Sequence, residues 1–176
     1  MTSTGERPLF PRRTPLDLED ATQRTTAYVY GNLLVLAAIL AVTKEEVASG
    51  RAFWIVLGTA VSTFVAHVFA EVMGAQVRST GPPTIRGLIK LARESLPVLT
   101  SGLLPAAILL LGYWEVLTTG PALTIAEAIV LIRIAGTGII VARLRNERSS
   151  LRLLLVGVAV AGVGLSVSLL KVYLTH

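Results

Sequence analysis

Five long apolar stretches constrain this 176-residue chain more than any local motif does. A helix needs about 20 apolar residues to cross a hydrocarbon core of roughly 30 Å. Inside a bilayer such a stretch has to satisfy its own backbone hydrogen bonds, which favours a helix. The sequence therefore predicts an all-α, polytopic membrane protein, a compact bundle of five transmembrane helices within one membrane domain, 25–176. The predicted spans cover residues 25–42, 52–73, 91–113, 122–142 and 151–174.

The composition agrees with membrane insertion and removes several classes of site. Charged residues make up only 15% of the chain, against about 25% in soluble proteins. The absence of cysteine excludes disulfides, thiolate metal sites and a thiol nucleophile. The net charge of +5 comes without a nucleic-acid motif, and in membrane proteins Lys and Arg mark cytoplasmic loops. The predicted partner is the lipid bilayer of the cell (inner or plasma) membrane, not nucleic acid.

The distribution of basic residues predicts the orientation. Twelve Lys and Arg residues fall on the side of the N-terminus, and the opposite side has three: Lys44, Arg51 and Lys171. Because basic loops stay in the cytoplasm, we expect a cytoplasmic N-terminus and an outer C-terminus. Residues 1–24 are a polar cytoplasmic arm. It is either disordered or forms a short helix on the membrane surface.

Polar residues recur on one face of the second span. Thr63, His67 and Glu71 are four residues apart, so they share a helix face. With a rise of 1.5 Å per residue, His67 lies roughly 9 Å and Glu71 roughly 3 Å from the inner boundary. Asn32 of the first span lies at about the same depth. We therefore predict a cytoplasm-facing polar cavity lined by Asn32, Thr63, His67 and Glu71.

Two further charges lie in the same half of the bundle, Glu94 and Arg133. A charge at the bilayer centre costs about 2.5 to 3.5 kcal/mol on insertion scales, so we expect Arg133 to pair with Glu71 or Glu94. Two interpretations stay open: a structural ion pair, or a proton or cation site. Histidine titrates near neutral pH and carboxylates bind hard cations, so His67 and Glu71 are also the candidate metal ligands.

Proline and glycine punctuate the third span, where Gly102 permits close helix packing and Pro105 predicts a kink. No catalytic motif is present: the chain has no HExxH, no Gly-rich phosphate loop and no recognisable Ser-His-Asp arrangement. We therefore predict neither an enzyme nor a resident cofactor. A hydrolase that uses the single intramembrane histidine is a weaker third possibility.

Three stretches resemble the vacuolar iron transporter family. They are "RTTAYVYGNLLVLAAILAV", "VLTSGLLPAAILLLG" with Gly102 and Pro105, and "ARLRNERSSLRLLLVGVAVAGVGLSVSLL". The resemblance implies a five-span fold, a homodimer with an ion path between the first and second spans, and export of divalent ions from the cytoplasm. Glu71 is similar in place to a glutamate in that family's second span.

The chain also departs from that family's pattern. Leu33 follows Gly31 and Asn32 where the family has an aspartate, and the connection 75–90 contains no carboxylate. The first hypothesis is a protein that moves or senses a small cation, either a divalent metal or a proton. It would exchange the cation against protons on His67 and Glu71, with Arg133 as counter-charge. The alternative is a non-transporting scaffold or partner subunit with a degenerate transporter fold.

Overall fold

The computed structural model describes residues 18–78, 84–137, 155, 158–166 and 173. Its helices are α1 (Leu18–Ala41), α2 (Lys44–Ala48), α3 (Arg51–Arg78), α4 (Ile85–Tyr113) and α5 (Thr119–Ala135). Residues 158–166 are also helical, and no strand occurs in these described ranges. The predicted all-α class is therefore confirmed.

Three helices are long and apolar enough to cross a membrane: Thr22–Ala41, Arg51–Val77 and Ile85–Tyr113. They correspond to the first three predicted spans. α5 covers part of the fourth, and 158–166 lies within the fifth. The other residues of the fifth span, apart from 155 and 173, are outside the description. The count of five spans and the orientation stay predictions. α1 begins seven residues before the predicted span, so the end of the predicted arm is helical, while residues 1–17 are outside the description.

Local sequence explains where α2 and α4 begin. Thr43 accepts a hydrogen bond from the Glu46 N–H, and the Glu46 carboxylate accepts one from the Thr43 N–H, which is a capping box. Thr84 accepts from the Gly87 N–H at 3.2 Å and so caps α4. Gly50, with φ +75°, ends the short α2 and turns the chain into α3.

α4 is the central helix of the bundle. It packs against α1, α3 and α5, while α1 also contacts α3 and α5. α2 contacts α3, α4 and α5. α3 and α4 are antiparallel, because Gly50 meets Tyr113 at one level and Ala60 meets Gly102 at another. The core is built from apolar side chains of four long helices: Val35, Leu36, Ile39, Val56, Ala60, Ala106, Leu109, Ala126, Val130 and Ile134.

Glycine permits two of the closest approaches. A Cβ on Gly31 of α1 would lie 2.8 Å from the Cα of Val98 in α4. A Cβ on Gly102 of α4 would lie 2.5 Å from the Cβ of Ala60 in α3. Both are shorter than real Cβ contacts, so a larger residue at either position requires the helices to move apart. Gly102 therefore serves close helix packing, as its sequence context predicts.

The two ends of the bundle are packed differently. α3 has buried residues at Ala52, Val56, Ala60 and Thr63, but none from 64 to 77. The adjoining stretches, 22–26 of α1 and 84–93 of α4, also contain no buried residue. We call these three stretches together the loosely packed end.

Candidate functional site

His67 lies at the boundary between the core and the loosely packed end. Its ring stacks on that of Tyr30 in α1, with centroids 6.4 Å apart and planes 29° from parallel. The side chain is half-buried. An imidazole in this position has an aromatic contact and is still partly exposed.

Thr63 and Glu71 lie one turn before and one turn after His67. Thr63 is 8% exposed, and Glu71 is half-buried. Since residues four apart share a face, the three form one polar stripe that runs from the core to the loosely packed end. We call Thr63, His67 and Glu71 the α3 stripe. The structure thus brings three of the four predicted cavity residues onto one surface.

Asn32 points to a different part of the bundle. Tyr30 faces α3 through its contact with His67, and a residue two positions later lies about 200° further round the helix. The Asn32 side chain is fully buried, and its Nδ2 donates to the Tyr28 carbonyl at 2.7 Å. Its Oδ1 is buried and has no hydrogen-bond partner among the described residues. The structure therefore does not bring Asn32 together with His67 and Glu71.

Glu94 has its own partner on α4. Its side chain is only 6% exposed, and Oε1 lies 3.5 Å from Nζ of Lys90, one turn earlier. Lys90 itself is 61% exposed. Next to Glu94, the buried Ser95 hydroxyl donates to the Leu91 carbonyl at 2.9 Å. The buried carboxylate is thus compensated by a cation that reaches in from the surface.

Arg133 of α5 contacts neutral groups. Nε donates to the Tyr28 hydroxyl at 3.3 Å, and the guanidinium carbon lies 5.2 Å from the centre of the Tyr28 ring. Nη1 donates to the carbonyls of Ser101 at 3.2 Å and Thr100 at 3.5 Å. The expected pairing of Arg133 with Glu71 or Glu94 is therefore not the arrangement observed in the described ranges.

Pro105 explains why the Ser101 carbonyl is free to accept a hydrogen bond from Arg133. A proline has no N–H, so the carbonyl four residues earlier in the helix loses its usual donor. For Pro105 that carbonyl belongs to Ser101. The sequence contains this signal, since Pro105 fixes which carbonyl loses its donor, whereas an arginine inside a membrane span by itself suggests a carboxylate partner.

The α3 stripe offers two titratable groups and one hydroxyl. Among the described residues, no group of three or more His, Cys, Asp or Glu side chains is placed to hold a metal ion. A concavity of 410 Å³ lies at the opposite end of the bundle, and the carboxylate among its lining residues is Glu115. Within the described residues, the α3 stripe is therefore the candidate site, because it places an imidazole and a carboxylate one turn apart.

These features define a helical protein with three membrane-capable helices and a polar stripe at the loosely packed end of one of them. Comparison with protein-family models, with curated proteins and with solved structures gives no match. The resemblance to the vacuolar iron transporter family stays a prediction.

Proposed function

We propose that this chain is an integral protein of the cell membrane that binds a small cation on the α3 stripe, and that it moves or senses that cation. The observation that carries the proposal is the position of His67 and Glu71. They are half-buried, one turn apart, on the face of α3 that meets α1, and at the end of the bundle where packing is loose. Buried ionisable groups inside membrane spans are expensive and typically mark ion paths.

The chemistry of the stripe supports the binding of protons and, for a metal cation, exchange of that cation against protons. A cation binds the neutral imidazole and the ionised carboxylate, so its binding releases protons from these groups. The proton itself is the first candidate species, because a single imidazole–carboxylate pair suffices for it. Structural zinc sites have four ligands and calcium sites six or more. A divalent metal would need further ligands from water or a second copy of the chain.

The cytoplasmic entry to the stripe and a homodimer through the first and second spans remain part of this proposal. Glu71 lies toward the end of α3 that the basic loops assign to the cytoplasm. The loosely packed end is therefore the cytoplasmic end in our orientation. The dimer follows from the family resemblance alone, and a cross-linking experiment in native membranes would test it.

Flux measurements in proteoliposomes test the function. The full-length chain should carry protons, Fe²⁺, Mn²⁺ or Zn²⁺ down an imposed gradient, and we expect the Glu71→Gln, His67→Ala double variant to lose most of that flux. Glu115→Gln is the matched control, because it removes a carboxylate at the opposite end of the bundle. Unchanged flux in the double variant would refute the site.

The scaffold hypothesis has one specific observation in its favour. Asn32, the remaining predicted cavity residue, is sealed in the core on another side of α1, so a continuous path would need a different set of residues. A scaffold predicts no flux for any tested ion and a stoichiometric partner that co-purifies from native membranes. Flux that depends on His67 and Glu71 would exclude it.

A further inference from the structure

The stretch 97–105 loses backbone hydrogen bonds at several points, although α4 runs unbroken from Ile85 to Tyr113. Pro97 and Pro105 both lie inside the helix, and each removes one backbone hydrogen bond. Between them, the Thr100 hydroxyl donates to the Pro97 carbonyl at 3.2 Å and the Ser101 hydroxyl to the Val98 carbonyl at 2.5 Å. Such back-bonding by Ser and Thr side chains bends helices. This stretch is where the backbone of α4 bends most easily.

The same stretch meets three neighbouring helices. Val98 and Ser101 lie against Gly31 of α1, and Gly102 lies against Ala60 of α3. Arg133 of α5 binds the Ser101 carbonyl. By contrast, the part of α4 before residue 94 has no buried residue. α4 is thus fixed at 97–105, and its first nine residues, 85–93, are lightly packed.

From these contacts we infer that 97–105 is a hinge in α4 and that Arg133 is the latch that holds it. The guanidinium replaces the donor that Pro105 lacks, and it ties this stretch of α4 to Tyr28 of α1 through the hydroxyl and the ring. Arg133 is therefore a positioning residue, not a counter-charge for the α3 stripe. Loss of its contacts frees the first half of α4 to move.

The movement has a consequence that rests on the proposed function. Because α3 and α4 are antiparallel, the first half of α4 packs beside the half of α3 that carries His67 and Glu71. The hinge therefore moves one wall of the proposed cation site. Opening and closing of that wall would regulate access from the cytoplasm.

A double-mutant cycle tests the latch without any transport measurement. Arg133→Gln should lower the midpoint of thermal unfolding of the purified full-length protein. In a Pro105→Ala background, the new alanine supplies the missing N–H to the Ser101 carbonyl, so we expect Arg133→Gln to cause half of that loss or less. Pro97→Ala is the matched control, because the carbonyl it affects belongs to Arg93, and there the loss should be unchanged. Equal losses in all three backgrounds would overturn the latch.

Hydrogen exchange reports on the hinge directly. Arg133→Gln should speed amide exchange in 85–100 severalfold, while exchange in 35–41 of α1 stays as in the parent chain. Unchanged exchange in 85–100 would contradict the hinge.

If Arg133→Gln does not fold, Arg133→Lys can replace it in both experiments, because one ammonium lacks the planar fork that reaches the Tyr28 hydroxyl and the carbonyls together. If the Arg133 and Pro105 variants are coupled but the protein carries no ion, the proposed function is refuted and the latch is retained. If the protein carries ions but the two variants are not coupled, the latch is refuted and the proposed function is retained.

Discussion

The close contact between α3 and α4 leads us to predict that Gly→Ala has opposite effects on stability at two positions, Gly102 and Gly58. Gly102→Ala places a methyl group 2.5 Å from the Ala60 Cβ, against an ordinary contact of 3.4–4 Å. Ala60 has no side-chain torsion that relieves the clash, so the backbones of the two helices must separate. Gly58→Ala in α3 has nothing within 4 Å of the new methyl group.

The difference between the two variants isolates the clash. Both changes gain helix propensity, about 1 kcal/mol for Gly to Ala. Overpacking in a tight interface typically costs about 1–3 kcal/mol, and the short Ala60 contact places Gly102→Ala in the upper part of that interval. We therefore expect Gly58→Ala to stabilise the protein by up to about 1 kcal/mol. Gly102→Ala should destabilise it by about 1–2 kcal/mol.

Reversible unfolding in detergent micelles, by SDS titration with a helicity readout, measures both values. A third variant gives the internal check: Ala60→Gly removes the opposing methyl group, so it should recover most of the loss in the Gly102→Ala background. Equal free energies of unfolding for the Gly58 and Gly102 variants would refute the observed helix approach. So would a failure of Ala60→Gly to compensate.

Three further predictions concern the turn around α2 and the end of α4. Thr43→Ala removes the cap of α2 and should cost about 1 kcal/mol in the same unfolding assay. Glu45 accepts hydrogen bonds from its own backbone N–H and the Thr43 hydroxyl, which hold its pKa below the ordinary 4.5. The stability that this carboxylate contributes is therefore present above pH 4.5 and is lost as pH falls through its folded pKa. Amide exchange in 44–48, corrected for intrinsic rates, should therefore become faster at low pH. In Glu45→Gln this acceleration should be smaller. Gly50→Ala (φ +75°) should lower the free energy of unfolding and Glu115→Gly (φ 59°) should raise it, each by about 1 kcal/mol. Changes of the same sign in the two variants would contradict this.

The helices themselves were predictable, because length and hydropathy decide them. The first three predicted spans match α1, α3 and α4: three of the six ends agree within one residue, and the other three differ by five to seven. α2 was missed although Thr43 and Glu46 have the spacing of a capping box. A helix of five residues is too short to show hydrophobic periodicity, so its capping box is the sequence signal that predicts it.

The candidate site was predictable along the helix axis but not around it. The rise per residue placed Asn32 and His67 at similar depths, and the repeat of four placed Thr63, His67 and Glu71 on one face. Which neighbour each face meets depends on how the helices are arranged, and a single sequence does not contain that arrangement. Tyr30, and not Asn32, is therefore the α1 residue that meets His67.

The contrast between Arg133 and the α3 stripe gives a physical criterion for separating structural charges from candidate functional ones. Arg133 has two carbonyls, a hydroxyl and an aromatic ring around one guanidinium, and Glu94 has Lys90. Groups so well satisfied gain little by exchanging a partner, because a new ligand has to displace existing bonds. His67 has one ring contact, and both it and Glu71 are half-buried at the loosely packed end. A site that must bind and release a cation needs groups held in place yet open on one side, and in the described part of the chain the α3 stripe meets that requirement.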